Sequence, residues 1–212
     1  MTPFIGYGVM TPKKTATTAQ RLVQKMFSFD SLRYADITAD ETRGTAIGRA
    51  YAALPDYDSR PIVHKCYDAF IRETMAQLAN IEKVLTVEVT DSDPYADFSE
   101  LFADIRDNGR LAVLSSATTG GHPYMTNDQN DAFRAVHDFH GHFMSGRDFT
   151  RHGEEAAFQR HMRMYGIFAR RAMTVETRGQ NSMFIWINGG GNNFPTQKFA
   201  LLPKWCTYSG LI

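Results

Sequence analysis

The stretch NDQNDAFRAVHDFHGH, residues 127–142, decides how this chain is read. Phe133, Val136 and His140 recur at helical spacing, so a helix is expected with Gly141 as its stop. The same stretch puts His137, Asp138, His140 and His142 within six positions. Residues four apart share one face of an α-helix. His137 and His142 are five apart, or roughly 140° around an ideal helix, so a straight helix keeps them from sharing an ion. A helix ending at Gly141 lets the next residue turn back toward the axis, with His137 on the last turn. His140, three from His137, competes for the same role.

Working outward from this segment, RPIVHKCYDAFIRETMAQLANIEKV (60–84) carries Val63, Tyr67, Phe70, Ile71, Met75 and Leu78 at helical spacing, with Pro61 in the first turn. VLTVEVT (84–90) alternates and is β-branched, which predicts a strand. FSELFADIRDNG (98–109) predicts a short helix stopped by Asn108-Gly109, and RLAVLSS (110–116) a second strand. EEAAFQRHMRMYGIFARRAMTVE (154–176) reads as one long helix with an apolar stripe through Phe158, Tyr165, Phe168 and Ala172. SMFIWI (182–187) reads as a strand, and NGGGNNFP (188–195) as a flexible turn or lid; it lacks the Gly-Lys-Ser/Thr of a phosphate loop. A short helix is expected around residues 18–27. The fold class is therefore α+β, a predominantly helical single domain with a small sheet. Residues 1–60 form an N-terminal extension or arm, and residues 61–212 the catalytic, metal-binding domain.

The 212 residues are 43% apolar, enough for a packed core. Charge is balanced, 23 basic against 23 acidic residues, which argues against a bulk electrostatic grip on nucleic acid. No run approaches the length of apolar residues needed to span a bilayer, and the start has no signal-type apolar region. Cys66 and Cys206 follow no metal or redox spacing. A soluble, cytoplasmic protein is the expectation.

The acid that completes a metal site is constrained by helix length. On one long helix, His161 and Glu176 lie 15 positions apart, about 22 Å at roughly 1.5 Å per residue. Either Glu176 or the Glu154/Glu155 pair then joins the histidines, not both ends. Carboxylates at Glu154 and Glu155 also complement the dipole of a helix start.

VHDFHGHFMSGRDF, followed 34 residues after His142 by Glu176 in AMTVETRG, resembles the pterin-dependent aromatic amino acid hydroxylases over about residues 120–182. Their iron site is written His-Glu-x-x-Gly-His with a later glutamate in a Thr-Val-Glu run. The matching residues are His137, Asp138, Gly141, His142 and Glu176; Asp138 stands for the family's glutamate, and YMTNDQND for its Thr-Pro-Glu-Pro-Asp run. The resemblance implies a hydroxylase-like fold and His137, His142 and Glu176 as ligands of Fe(II). It further implies O₂ chemistry, a reduced pterin as electron donor, and a small aromatic or heteroaromatic substrate. Asp138 would orient a ligand or a bound water. In TRGQN (177–181), Arg178 and Gln180 would clamp a substrate carboxylate or phosphate, or the segment is a helix end stopped by Gly179. His161 reads as a core histidine. Two other functions fit the same residues: a zinc hydrolase with Asp138 or Glu155 as general base, and a non-enzymatic protein with a structural metal staple.

Overall fold

The structure is a computed structural model that describes residues 33–191 and 193–208. The helix expected at residues 18–27 lies outside the described residues. Helix α1 (Glu41–Ala52) starts at Asp40, whose side chain caps the Arg43 amide at 2.6 Å. Helix α2 (Pro61–Ile81) has proline at its start, where no amide proton is needed. Strand β1 (Thr86–Thr90) pairs in parallel with β2 (Arg110–Leu114), in register from Thr86 with Arg110 to Thr90 with Leu114. The crossover holds α3 (Phe98–Ala103), which widens into a π-helical run, Asp104–Asn108, and closes on left-handed Gly109. Helix α4 (Asn127–His137) opens with a Thr126/Gln129 capping box and continues as a π-helix over Asp138–Phe143. Helix α5 (Arg151–His161) is capped by Thr150. Helix α6 (Ala169–Thr174) runs on through π-helical Val175–Gly179, a short α turn, and π-helical Met183–Ile187. The described residues are thus mostly helical with one two-stranded sheet, the predominantly helical α+β class that was expected.

Two core clusters meet on α4, and a third lies apart from it. Phe133 joins Val63, Tyr67, Phe70, Phe158 and Met173 on one side. Ala135, Val136 and Phe139 join Leu101, Leu111 and Val113 on the other. Burying a side chain such as Phe70 contributes about 1.5–3 kcal/mol. The third cluster, Ile47, Tyr51, Val175, Leu202 and Cys206, unites α1 with the α6 run.

Four expectations are corrected. The arm does not end at residue 60, because α1 contributes Ile47 and Tyr51 to the core. The buried face of α2 includes Thr74 and Gln77, while Met75 is 41% exposed; Gln77 meets His161 of α5, and Thr74 meets Tyr165 beyond its end. The long helix 154–176 breaks at Tyr165, whose backbone is extended. Its ring is drawn into the core, with its hydroxyl 2.8 Å from Thr74, and the Gly166 amide donates to Glu73 at 2.7 Å. Residues 182–187 are helical rather than a strand, since the segment lies on Gly44 and Gly48 of α1. A β-carbon at Gly44 would sit 2.1 Å from the Trp186 indole nitrogen. Among the described residues no helix is long and apolar enough to cross a membrane.

Candidate metal centre

His137 and His142 are brought together by a change of helix type, not by a helix end. Gly141 lies inside the π-helical run, and the left-handed glycine comes later, at Gly146. Hydrogen bonds from i to i+5 place residues five apart on one face, and such segments are frequent at functional sites. The two imidazole rings meet edge to face with centroids 5.1 Å apart. Glycine at 141 serves close packing. A β-carbon there would come within 3.0 Å of His137 Nδ1 and 3.1 Å of Ala157 Cβ on α5.

The carboxylate facing both histidines is Glu154, in the first turns of α5. Its Oε2 lies 3.5 Å from His142 Nε2 and 3.9 Å from His137 Nε2, and the three ligand atoms all fall within 4.8 Å of one another. An ion bound at about 2.1 Å to each atom needs them roughly 3.0–3.5 Å apart, within reach of small side-chain rotations. His137 Nε2 is buried with no hydrogen-bond partner. His142 Nδ1 lies 3.0 and 3.1 Å from the carbonyls of Arg147 and Asp148, which only accept. Nδ1 must therefore carry a proton, leaving Nε2 as the atom that faces Glu154. Asn181 donates to the same Glu154 oxygen at 2.5 Å and fixes the carboxylate.

Two imidazole nitrogens and a carboxylate oxygen converging in a buried space favour positive charge between them. In the ion-free protein a proton supplies it. Burial by itself would lower the His142 pKa, but Glu154, Asp138 and the Arg147 carbonyl outweigh it and hold the group up at about 9. Burial would likewise raise Glu154, and the two histidines overcome that and hold it down at about 2. A divalent cation is the other way to meet the same demand.

Local sequence explains the geometry. The 147–148 carbonyls that hold His142 fold beneath the first turn of α5, where a β-carbon at Gly153 would lie 1.9 Å from the Asp148 oxygen. Gly153→Ala is therefore expected to cost about 1–3 kcal/mol or more and to weaken metal binding, as read by urea unfolding and metal titration. Parental stability would show that the turn relaxes freely.

Glu176 is not part of the triad. The break at Tyr165 removes the single long axis on which Glu154 and Glu176 excluded each other, and both line one cavity of about 440 Å³ with His137, Asp138 and His142. Glu176 is instead saturated by donors. Tyr67 O–H reaches its Oε1 at 2.5 Å, His122 Nε2 lies 3.2 Å from the same atom, and Gln180 donates to Oε2 at 2.8 Å. His122 Nδ1 accepts from the Tyr124 and Met125 amides, so Nε2 carries the proton that faces Glu176. Spacing gave no sign of this role for Tyr67 and His122, because the contacts join residues 109 and 54 apart.

Arg178, expected to clamp substrate, is buried against Glu155, donates to the Cys206 carbonyl at 2.8 Å, and lies 4.1 Å from the Phe158 ring centre. Gln180 does line the cavity, but its amide is spent on Glu176. Asp138 lines it as a carboxylate whose pKa is raised by burial, with His142 and His137 opposing. His140 stands outside the triad, and burial holds its ring down at about 3. Phe133, Phe149, Tyr95 and Phe194 supply the aromatic rings of the wall, beside aliphatic residues such as Leu101 and Val113. No family model, curated protein or solved structure matches the chain.

Proposed function

We propose that the protein is a mononuclear non-haem Fe(II) oxygenase of a small aromatic or heteroaromatic compound. The supporting observation is the convergence of His137 Nε2, His142 Nε2 and Glu154 Oε2 on the lining of one cavity. Two histidines and one carboxylate on one side of an ion leave its other positions open, the arrangement suited to Fe(II) and O₂. When bound, the iron supplies the capacity to bind and reduce O₂. Placing one oxygen atom into a C–H bond and releasing the other as water needs two electrons and two protons from a donor. A reduced pterin is the donor class that the His-x-x-x-Gly-His resemblance favours.

The chain's own residues do the rest. A cavity of about 440 Å³ suits a small organic ligand. Phe149 and Phe194 offer faces for a flat ring, and Phe149 also lies against His142, centroids 4.7 Å apart. Asp138 is placed on the cavity wall to give or take a proton. Glu176, held by Tyr67, His122 and Gln180, also lines the cavity.

Protein purified without oxygen and given Fe(II) is expected to bind one equivalent and to consume O₂ with a reduced pterin and an aromatic substrate. Tight zinc binding with no Fe(II) uptake and no O₂ consumption would overturn the oxygenase reading. It would favour a zinc hydrolase in which Asp138, on the cavity wall, is the general base.

A further inference from the structure

We infer that His161 is a positioning residue for the metal centre, selecting the tautomer of His137 that leaves the His137 Nε2 lone pair free for an ion. This rests on the metal-centre reading above and names a residue that belongs neither to the triad nor to the cavity lining.

His161 ends α5 with no exposed surface and sits between the ligand His137 on α4 and Gln77 on α2. Its Nδ1 is 3.2 Å from His137 Nδ1, and its Nε2 is 3.1 Å from Gln77 Oε1. Both neighbours are themselves buried, so water cannot replace either contact. Each imidazole must then match donors to acceptors along the line. An amide oxygen accepts only, so His161 Nε2 carries a proton. A neutral ring protonated there has a bare Nδ1, which accepts. His137 Nδ1 must therefore donate, and its remaining nitrogen, Nε2, is left without a proton. That nitrogen is the buried atom with no hydrogen-bond partner, aimed toward Glu154 and His142.

The direction of the line is set at its far end, by Gln77. Were the amide turned over, its NH₂ would donate to His161 Nε2, and each proton would move to the opposite nitrogen. A proton on His137 Nε2 would then occupy the place an ion needs. The tautomer of the ligand is thus specified from α2, one helix removed from the site. It also accounts for why α2 turns Gln77 and not Met75 toward the core. Metal-bound histidines commonly donate their second ring nitrogen to a fixed acceptor, and losing that acceptor weakens metal affinity about 10–100-fold. Here the acceptor is a second histidine.

The test uses the full chain and Zn(II) as a diamagnetic probe. Long-range ¹H–¹⁵N correlation on the loaded protein is expected to put the His161 proton on Nε2 and the His137 proton on Nδ1. His161→Phe keeps the volume and removes the acceptor, so Zn(II) and Fe(II) affinity should fall about 10–100-fold. His161→Asn, whose amide oxygen can stand where Nδ1 stood, should restore most of it. A His161 proton on Nδ1 would overturn the inference, as would parental affinity in His161→Phe. The nuclear magnetic resonance arm needs no variant and decides the question even if His161→Phe fails to fold. Failure of the parent chain to take up metal would bring down the metal-centre reading and this inference with it. Uptake by the parent with no effect in His161→Phe would remove the inference alone.

Discussion

Glu154→Ala is expected to lower Fe(II) affinity by more than about 100-fold, beyond the effect usual for residues that only support a ligand. Glu176→Gln is expected to keep one equivalent of metal. The contrast follows from position. Glu154 Oε2 faces both histidine nitrogens, whereas the Glu176 oxygens are taken by Tyr67, His122 and Gln180. Glu154→Ala also leaves His142 without the carboxylate that stabilises its charged form, so the variant's own stability should be followed by urea unfolding. Equilibrium dialysis without oxygen, with metal counted per folded chain, separates the two variants. Loss of metal in Glu176→Gln with retention in Glu154→Ala would reinstate Glu176 as the third ligand.

The largest effect on stability is expected at Glu155→Ala, a loss of about 3–5 kcal/mol in unfolding free energy. Glu155 is a charge partner of Arg178, and the Arg178 side chain is only 3% exposed. Removing the acid takes a bidentate charge partner from a buried guanidinium packed on Phe158 and the carbonyls of Cys206 and Thr207. Urea unfolding of the metal-free protein measures this directly. An arginine serving a substrate would give the opposite pattern, near-parental stability with a raised KM.

Much of the fold was legible because periodicity reports buried faces. The helices at 61–81, 98–103 and 127–137 and both strands stand close to where apolar spacing and turn residues put them. The misreadings share a cause: local sequence does not reveal which neighbour a segment meets. Tyr165 continues an apolar stripe, yet its hydroxyl finds Thr74 on α2 and the helix breaks there. SMFIWI has the composition of a strand, but the glycine face of α1 receives it as a helix.

For the candidate site, the paired histidines were visible in VHDFHGH, and the grouping of His137 with His142 needed only the right helix geometry. The carboxylate was harder. Glu154 and Glu176 both lie in plausible sequence, and an unbroken helix made them alternatives. The bend between α5 and α6 brings both to one cavity, and hydrogen-bond saturation then distinguishes them. His161 looked like a core histidine and is one, fully buried; what spacing could not convey is that its partner is a ligand.

The most direct test is a crystal structure of the Fe(II)-loaded protein, grown without oxygen, with anomalous scattering recorded at the iron edge. One iron peak is expected about 2.1 Å from each of His137 Nε2, His142 Nε2 and Glu154 Oε2, with His137 Nδ1 still against His161. An iron peak held by Glu176, or no peak between the two histidines, would contradict the proposed centre.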